Sequence, residues 1–257
     1  MNFARKLFIG GNWKSNMTRK SAQELVQGTL NKIGHNPSKV DVVVFPNYLH
    51  VSCVSSGLSD KNVKVGVQNV STEGFGAFTG ETSVLHVTDL GIEYTLVGHS
   101  ERRHIYNETD EQLLKKARFA LDNNLNVVYC IGELLSEREE NRTENVIETQ
   151  MEGLKSVPAN QWSNLVIAYE PVWAIGTGKV ATPEQAQNVH HFVRNWLSQN
   201  VSEEVANNTR IIYGGSVSDS NCQELIKQDD IDGFLIGGVS LKPAFKTVVN
   251  VSEDWLA

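Results

Sequence analysis

LVIAYEPVWAIGTGK, residues 165–179, opens with five apolar residues and sets a single carboxylate, Glu170, directly after them. Leu165–Tyr169 shows no apolar–polar alternation, which is how a strand reads when both of its faces are covered. Seven other short runs, most of them apolar throughout, share this character: Leu7–Gly10, Val40–Phe45, Val63–Val67, Tyr94–Val97, Val127–Ile131, Arg210–Tyr213 and Gly233–Ile236. Amphipathic stretches separate them. Thr109-Asp110-Glu111 precedes Leu113, Leu114, Ala117 and Ala120, and Thr182-Pro183-Glu184 precedes a helical pattern through Leu197. Both are helix-start signals. Strand–helix alternation repeated eight times predicts an α/β fold, a single closed (β/α)8 barrel over residues 1–257 with no internal linker. A doubly wound open sheet is the alternative; no G-x-G-x-x-G follows the first run, which counts against its dinucleotide-binding form.

Composition narrows the function. Hydrophobic residues make up 40% and charged residues 21% of the 257, the balance of a globular enzyme. A formal charge of −7 gives no footprint for nucleic acid, so an anionic ligand must be held by local features. The apolar run Leu7-Phe8-Ile9 is too short for a signal-peptide core, and no stretch approaches the ~18 apolar residues of a membrane span. The seven N-x-S/T sequons, at Asn16, Asn69, Asn107, Asn141, Asn200, Asn207 and Asn250, are then coincidental. Three scattered cysteines, Cys53, Cys130 and Cys222, suit a reduced, cytoplasmic setting. The charge-rich run SEREENRTE (136–144) reads as a solvated helix face. VSTEGFGAFTGETS, Val70 to Ser83, is longer than a barrel connection requires, and such loops usually bind something.

Functional residues of a (β/α)8 barrel collect at the C-terminal ends of its strands. There the chain places Asn12-Trp13-Lys14, Gly98-His99-Ser100-Glu101, Glu170, Gly214-Gly215-Ser216 and Gly237-Gly238. One carboxylate, one imidazole, one ammonium, one amide and two glycine turns converge on one face: a proton-transfer site beside an anion site. Taken singly, Lys14 reads equally as a surface lysine and His99 as a satisfied core histidine. Glu170 is harder to set aside, because an unpaired carboxylate ending an apolar strand carries a desolvation cost. Glu101 reads as a structural partner, Cys130 as a buried thiol, and His190-His191 as structural. The segment around Gly178-Lys179 is not a Walker A loop, and His99-Ser100-Glu101 lacks the P-C-x-x-C of a zinc deaminase. Gly214-Gly215-Ser216 and Gly237-Gly238 suit a phosphate held by backbone N–H groups.

GGNWK (10–14), GAFTGE (76–81), VGHSERR (97–103), AYEPVWAIGTGK (168–179), ATPEQA (181–186), YGGSV (213–217) and DGFLIGG (232–238) together resemble the triosephosphate isomerase family, in the family's order and over nearly the whole chain. The resemblance implies a TIM barrel that interconverts dihydroxyacetone phosphate and glyceraldehyde 3-phosphate, a step of glycolysis and gluconeogenesis, without cofactor or metal. It implies Glu170 as the base, His99 as a neutral electrophile, Lys14 as positive charge beside the enediolate, and Asn12 as a positioning group. Gly176, Ser216, Gly237 and Gly238 would hold the phosphate. Residues 171–181 would form a lid, stiffened at Pro171 and loosened at Gly176 and Gly178. The loop of about 70–83 would dock into a sister subunit, Thr79 reaching the partner beside Lys14, to give a homodimer. Val239 stands where the family usually has alanine, and Ser15-Asn16 replaces commoner apolar or cysteine residues.

Two other functions fit parts of the pattern. An aldolase would use Lys14 as a Schiff base, which borohydride trapping with substrate would reveal. A catalytically silent phosphate-binding homologue would have lost Glu170, His99 or Lys14, and all are present.

Overall fold

The eight apolar runs are the eight strands of a closed, all-parallel barrel in the computed structural model, which describes residues 5–175 and 180–256. They are β1 (Leu7–Asn12), β2 (Val40–Phe45), β3 (Val63–Val67), β4 (Tyr94–Val97), β5 (Asn126–Ile131), β6 (Leu165–Tyr169), β7 (Arg210–Tyr213) and β8 (Gly233–Ile236). Each pairs with the next, and β8 closes on β1, with Phe8 opposite Gly233 and Gly11 opposite Ile236. Alternation is missing from the sequence because the two faces of each strand enter two cores. Phe8, Phe45, Leu96, Val128, Val166, Ala168 and Leu235 pack in the barrel interior. Their neighbours Ile9, Val44, Val127, Ile167 and Tyr169 pack outward beneath the helices. Full burial of such a side chain contributes about 1.5–3 kcal/mol. Interior room is limited: a Cβ on Gly66 would lie 2.4 Å from the Phe45 ring, so glycine there is what admits the phenylalanine.

The helix starts follow their sequence signals. Thr109 caps the helix Asp110–Asp122, its hydroxyl accepting the Gln112 N–H (3.3 Å) while the Gln112 side chain accepts the Thr109 N–H (3.0 Å). Thr182 and Gln185 do the same for Pro183–Asn200, with Pro183 in the first turn. That helix runs three residues beyond Leu197. The charged run 136–144 departs from the expected single helix face: it spans the end of one helix, Leu135–Glu139, and the start of another, Thr143–Met151. Asn141 between them has φ +56°, a left-handed turn conformation that asparagine tolerates. Its side chains are mostly solvated, as expected.

Residues 70–82 form neither helix nor strand. The loop is closed at its base by the Ser71 N–H donating to the Thr82 carbonyl (2.9 Å). The Phe75 ring lies tilted against the His86 ring (centroids 4.8 Å apart, 54°) yet stays 65% exposed, and Phe78 is 43% exposed.

Candidate active site

The residues expected to act lie together in a cavity of about 540 Å³ at the C-terminal ends of the strands, bounded by Asn12, Lys14, His99, Glu170 and the two glycine turns. Asn12 ends β1, buried, and its Oδ1 accepts the Lys14 N–H (3.0 Å). That bond closes a turn in which Lys14 takes φ +52°, a conformation costing a non-glycine residue about 1–2 kcal/mol. The Gln68 side-chain amide donates to the Lys14 carbonyl (2.8 Å) and to the Phe45 carbonyl (2.9 Å). The strained turn is thus held from two sides. Lys14 Nζ lies 2.8 Å from Glu101 Oε1, so Glu101 is the structural partner its position suggested and Lys14 is not a free surface lysine.

His99 ends the loop after β4 and caps the helix Ser100–His104. Its Nδ1 accepts the Glu101 N–H (3.2 Å), which turns Nε2 toward the cavity. Nε2 lies 3.0 Å from Glu170 Oε1. The other oxygen, Oε2, accepts the Ser100 N–H (2.8 Å). Glu170 is therefore not the unpaired carboxylate the sequence suggested. It is 2% exposed and parked against the start of a helix. Burial by itself pushes its acid upward; the His99 ring, the Ser100 N–H and the Lys14 ammonium together outweigh burial and hold the carboxyl below the ordinary range.

The backbone beneath Glu170 is fixed as well. Its N–H donates to the Ile131 carbonyl (2.7 Å), and the Gly214 N–H donates to the Tyr169 carbonyl (2.7 Å). Beyond it, Val172–Ala174 makes one short helical turn. Glu133, wholly buried after β5, accepts from Tyr169 OH (3.1 Å), Trp173 Nε1 (2.9 Å) and Arg138 Nη1 (3.2 Å) on one oxygen. Sequence reasoning passed over Glu133, although an acid following the apolar run Val127–Ile131 repeats the signal that singled out Glu170.

Of the residues expected to hold phosphate, Ser216, Gly237 and Gly238 line the cavity, and Gly176 lies outside the described residues, as does the rest of 176–179. The Ser216 hydroxyl donates to the Ala174 carbonyl (2.7 Å). Gly237 precedes a short helical turn, Gly238–Leu241, closed by the Ser240 N–H and hydroxyl on the Gly237 carbonyl (2.9 and 2.7 Å). Val239 borders the cavity but packs partly against the core. Ser15 is exposed, and the Asn16 side chain donates to the Trp13 carbonyl (2.8 Å).

The triosephosphate isomerase family model matches residues 7–252. Triosephosphate isomerase of Neurospora crassa is 48% identical over 249 residues, covering 97% of this chain and 99% of that protein. A cytosolic triosephosphate isomerase of Stellaria longipes is 51% identical, covering 96% of each chain. A chloroplastic one from Secale cereale is 53% identical, covering 95% of this chain and 81% of its own. This chain belongs to the triosephosphate isomerase family.

Proposed function

We infer that Glu170, His99, Lys14 and Asn12 carry the reaction of this isomerase, the interconversion of dihydroxyacetone phosphate and D-glyceraldehyde 3-phosphate. The observation behind the assignment is the 3.0 Å contact between Glu170 Oε1 and His99 Nε2, inside the cavity that Lys14 and the glycine turns enclose. A proton α to a carbonyl is weakly acidic, so a placed base and a stabilised oxyanion must act together. The substrate enters between Glu170 and His99. Glu170 exchanges the Ser100 N–H for the substrate's C1 and removes a proton there. The electron pair moves onto the carbonyl oxygen, which His99 Nε2–H and the Lys14 ammonium stabilise as an enediolate. The C1 hydroxyl proton passes to the C2 oxygen by way of His99 Nε2, and Glu170 returns its proton to C2, giving the aldehyde. A depressed acid suits a base that rests ionised; leaving its donors makes it more basic when the substrate replaces them.

Ser216, Gly237 and Gly238, with Gly176, would take the phosphate: N–H groups opening a helical turn have no partners within it and suit an anion. Residues 171–181 would act as a lid, supported by the anchoring of Trp173 on Glu133 and of the Ala174 carbonyl on Ser216. Incubating dihydroxyacetone phosphate with the enzyme in deuterated water tests the proton path. Deuterium should enter carbon-bound positions of recovered substrate and product; its absence during turnover would exclude an exchanging carboxylate base.

The loop at 70–83 is read as a dimer contact. Exposed Phe75 and Phe78 are apolar surface on this loop that a two-fold partner would cover in both copies. Sedimentation should report about 57 kDa, twice the 28.5 kDa chain, for a two-fold assembly. A dilute monomer with full activity would contradict it. All three cysteines are free, which supports a cytoplasmic setting.

A further inference from the structure

We propose that Gln150 is a positioning residue for the reaction: its side-chain amide substitutes for a missing strand and fixes the peptide against which the base is seated. Gln150 lies 9% exposed in the last turn of the helix Thr143–Met151, anchored by buried Ile147 and Met151. Its Oε1 accepts the Gly132 N–H (2.8 Å) and its Nε2 donates to the Gly132 carbonyl (3.1 Å). One side chain thus satisfies both polar groups of a buried residue eighteen positions away in sequence.

The need arises from where the strands end. Past Ile131, the chain continues to pair with the Glu170 segment: Glu170 N–H donates to the Ile131 carbonyl (2.7 Å) and Val172 N–H to the Glu133 carbonyl (3.1 Å). In a parallel ladder the residue between those two partners, Gly132, turns its N–H and C=O to the opposite side. On that side β4 has already ended at Val97. Arg103 occupies the level below, donating to the Cys130 carbonyl (2.9 Å) and the Gly98 carbonyl (2.9 Å). At Gly132 the Gln150 amide, which has the donor and acceptor of a peptide, takes the place of the next strand.

Gly132 is the surface on which Glu170 rests. A Cβ built on Gly132 would stand 1.8 Å from the Glu170 carbonyl oxygen. The two peptides are in direct contact, and a shift of one moves the other. The Tyr129 hydroxyl, 3.4 Å from the Gln150 carbonyl, holds the helix end in turn. Without the amide, the buried Gly132 groups would have to move to find partners, carrying the Glu170 backbone with them. Positional errors well under an ångström slow proton transfer more than they weaken binding.

This inference rests on Glu170 being the base, and two variants separate it from that reading. Gln150→Met keeps the length of the side chain and removes both hydrogen bonds. We expect kcat to fall about tenfold with KM within about twofold. Gln150→Glu keeps the shape. Protonated, the introduced carboxyl presents the same acceptor and donor; ionised, it faces the Gly132 carbonyl with a negative charge. The ratio of its kcat to that of the parent enzyme should therefore rise as the pH is lowered through the titration of the new acid. A merely structural glutamine would change stability without that ratio following pH. Gln150→Met with kcat within twofold of the parent overturns the proposal. If Gln150→Met does not fold, a pH-independent ratio for Gln150→Glu overturns it instead. Should Glu170→Asp be slow while both Gln150 variants are normal, the base assignment stands and this inference alone fails.

Discussion

Glu170→Asp is expected to lower kcat by about 100-fold while KM changes little. The shorter side chain withdraws the carboxylate by one methylene, on the order of 1 Å, and misplacement of that size in a positioned base costs about that factor. The backbone cannot follow to compensate. It is tied by the Glu170 N–H on Ile131, by Gly214 on Tyr169, and by direct contact with Gly132. The resting contacts suffer with the chemistry, because a carboxylate drawn back from 3.0 Å to His99 Nε2 and 2.8 Å to the Ser100 N–H cannot keep both. Three of the four residues proposed to hold phosphate, Ser216, Gly237 and Gly238, follow β7 and β8 rather than β6, so binding should largely survive. The test is steady-state kinetics with C1-deuterated substrate, so that proton transfer is seen to limit the variant. A near-normal kcat under that condition would remove Glu170 from the role of base. The acid limb carries a second signature. Since the folded carboxyl titrates below its ordinary value, Glu170 adds stability above about pH 4.5, lost as pH falls through the folded value. Glu170→Gln, which has no such titration, should lose less stability than the parent on acidification.

Much of this architecture is legible in the chain because burial on both faces leaves a plain mark. Six strand ranges coincide with their apolar runs, whereas β1 and β5 extend into Gly11, Asn12 and Asn126. Those residues extend the strands by backbone pairing and carry no apolar signal. Asn12, Lys14, His99 and Glu170 could be found because a barrel brings strand ends together. The pairing of Glu170 could not, since one of its partners is the Ser100 backbone N–H, which any sequence would supply. Gln150 is invisible for a similar reason: it matters through one distant peptide. The division of residues 136–144 into two helices turns on Asn141, whose left-handed conformation sits in a polar run without periodicity to break.

The opposite end of the barrel should show the reverse behaviour, a large loss of stability with chemistry intact. Arg194, on the long helix Pro183–Asn200, has a side chain only 11% exposed. Its Nε donates to Asp230 Oδ1 (2.6 Å) and its Nη2 to Asp232 Oδ2 (2.7 Å), while Nη1 donates to the Thr209 carbonyl (3.0 Å). Asp232 stands just before β8 and Thr209 just before β7, so one guanidinium joins a helix to the entry of two strands. Arg194→Met retains much of the volume but leaves two largely buried carboxylates short of their counter-charge. Breaking such a group typically costs about 3–5 kcal/mol. The lower half of that range is expected here, because Asp232 keeps Arg5 Nε (2.6 Å) and the Ile211 N–H (2.8 Å), and Asp230 keeps Gln187 (2.7 Å) and His191 (3.1 Å). The pH dependence has a definite sign. Burial pushes the Asp230 acid up, but the Gln187 amide, Arg194 and His191 hold it below its usual value. Its contribution is therefore complete above about pH 4 and disappears as pH falls through the lower, folded value. Urea unfolding at fixed protein concentration should show the full difference between parent and Arg194→Met at pH 7, and a smaller one once the pH is taken well below 4. At neutral pH and without denaturant, the folded variant should keep its kcat and KM, since Glu170 and His99 sit at the far ends of β6 and β4. A loss under about 1 kcal/mol at pH 7 would mean that the remaining partners suffice and the guanidinium does not join the strand entries. A fall in kcat in the folded variant would mean that the two ends of the barrel are coupled.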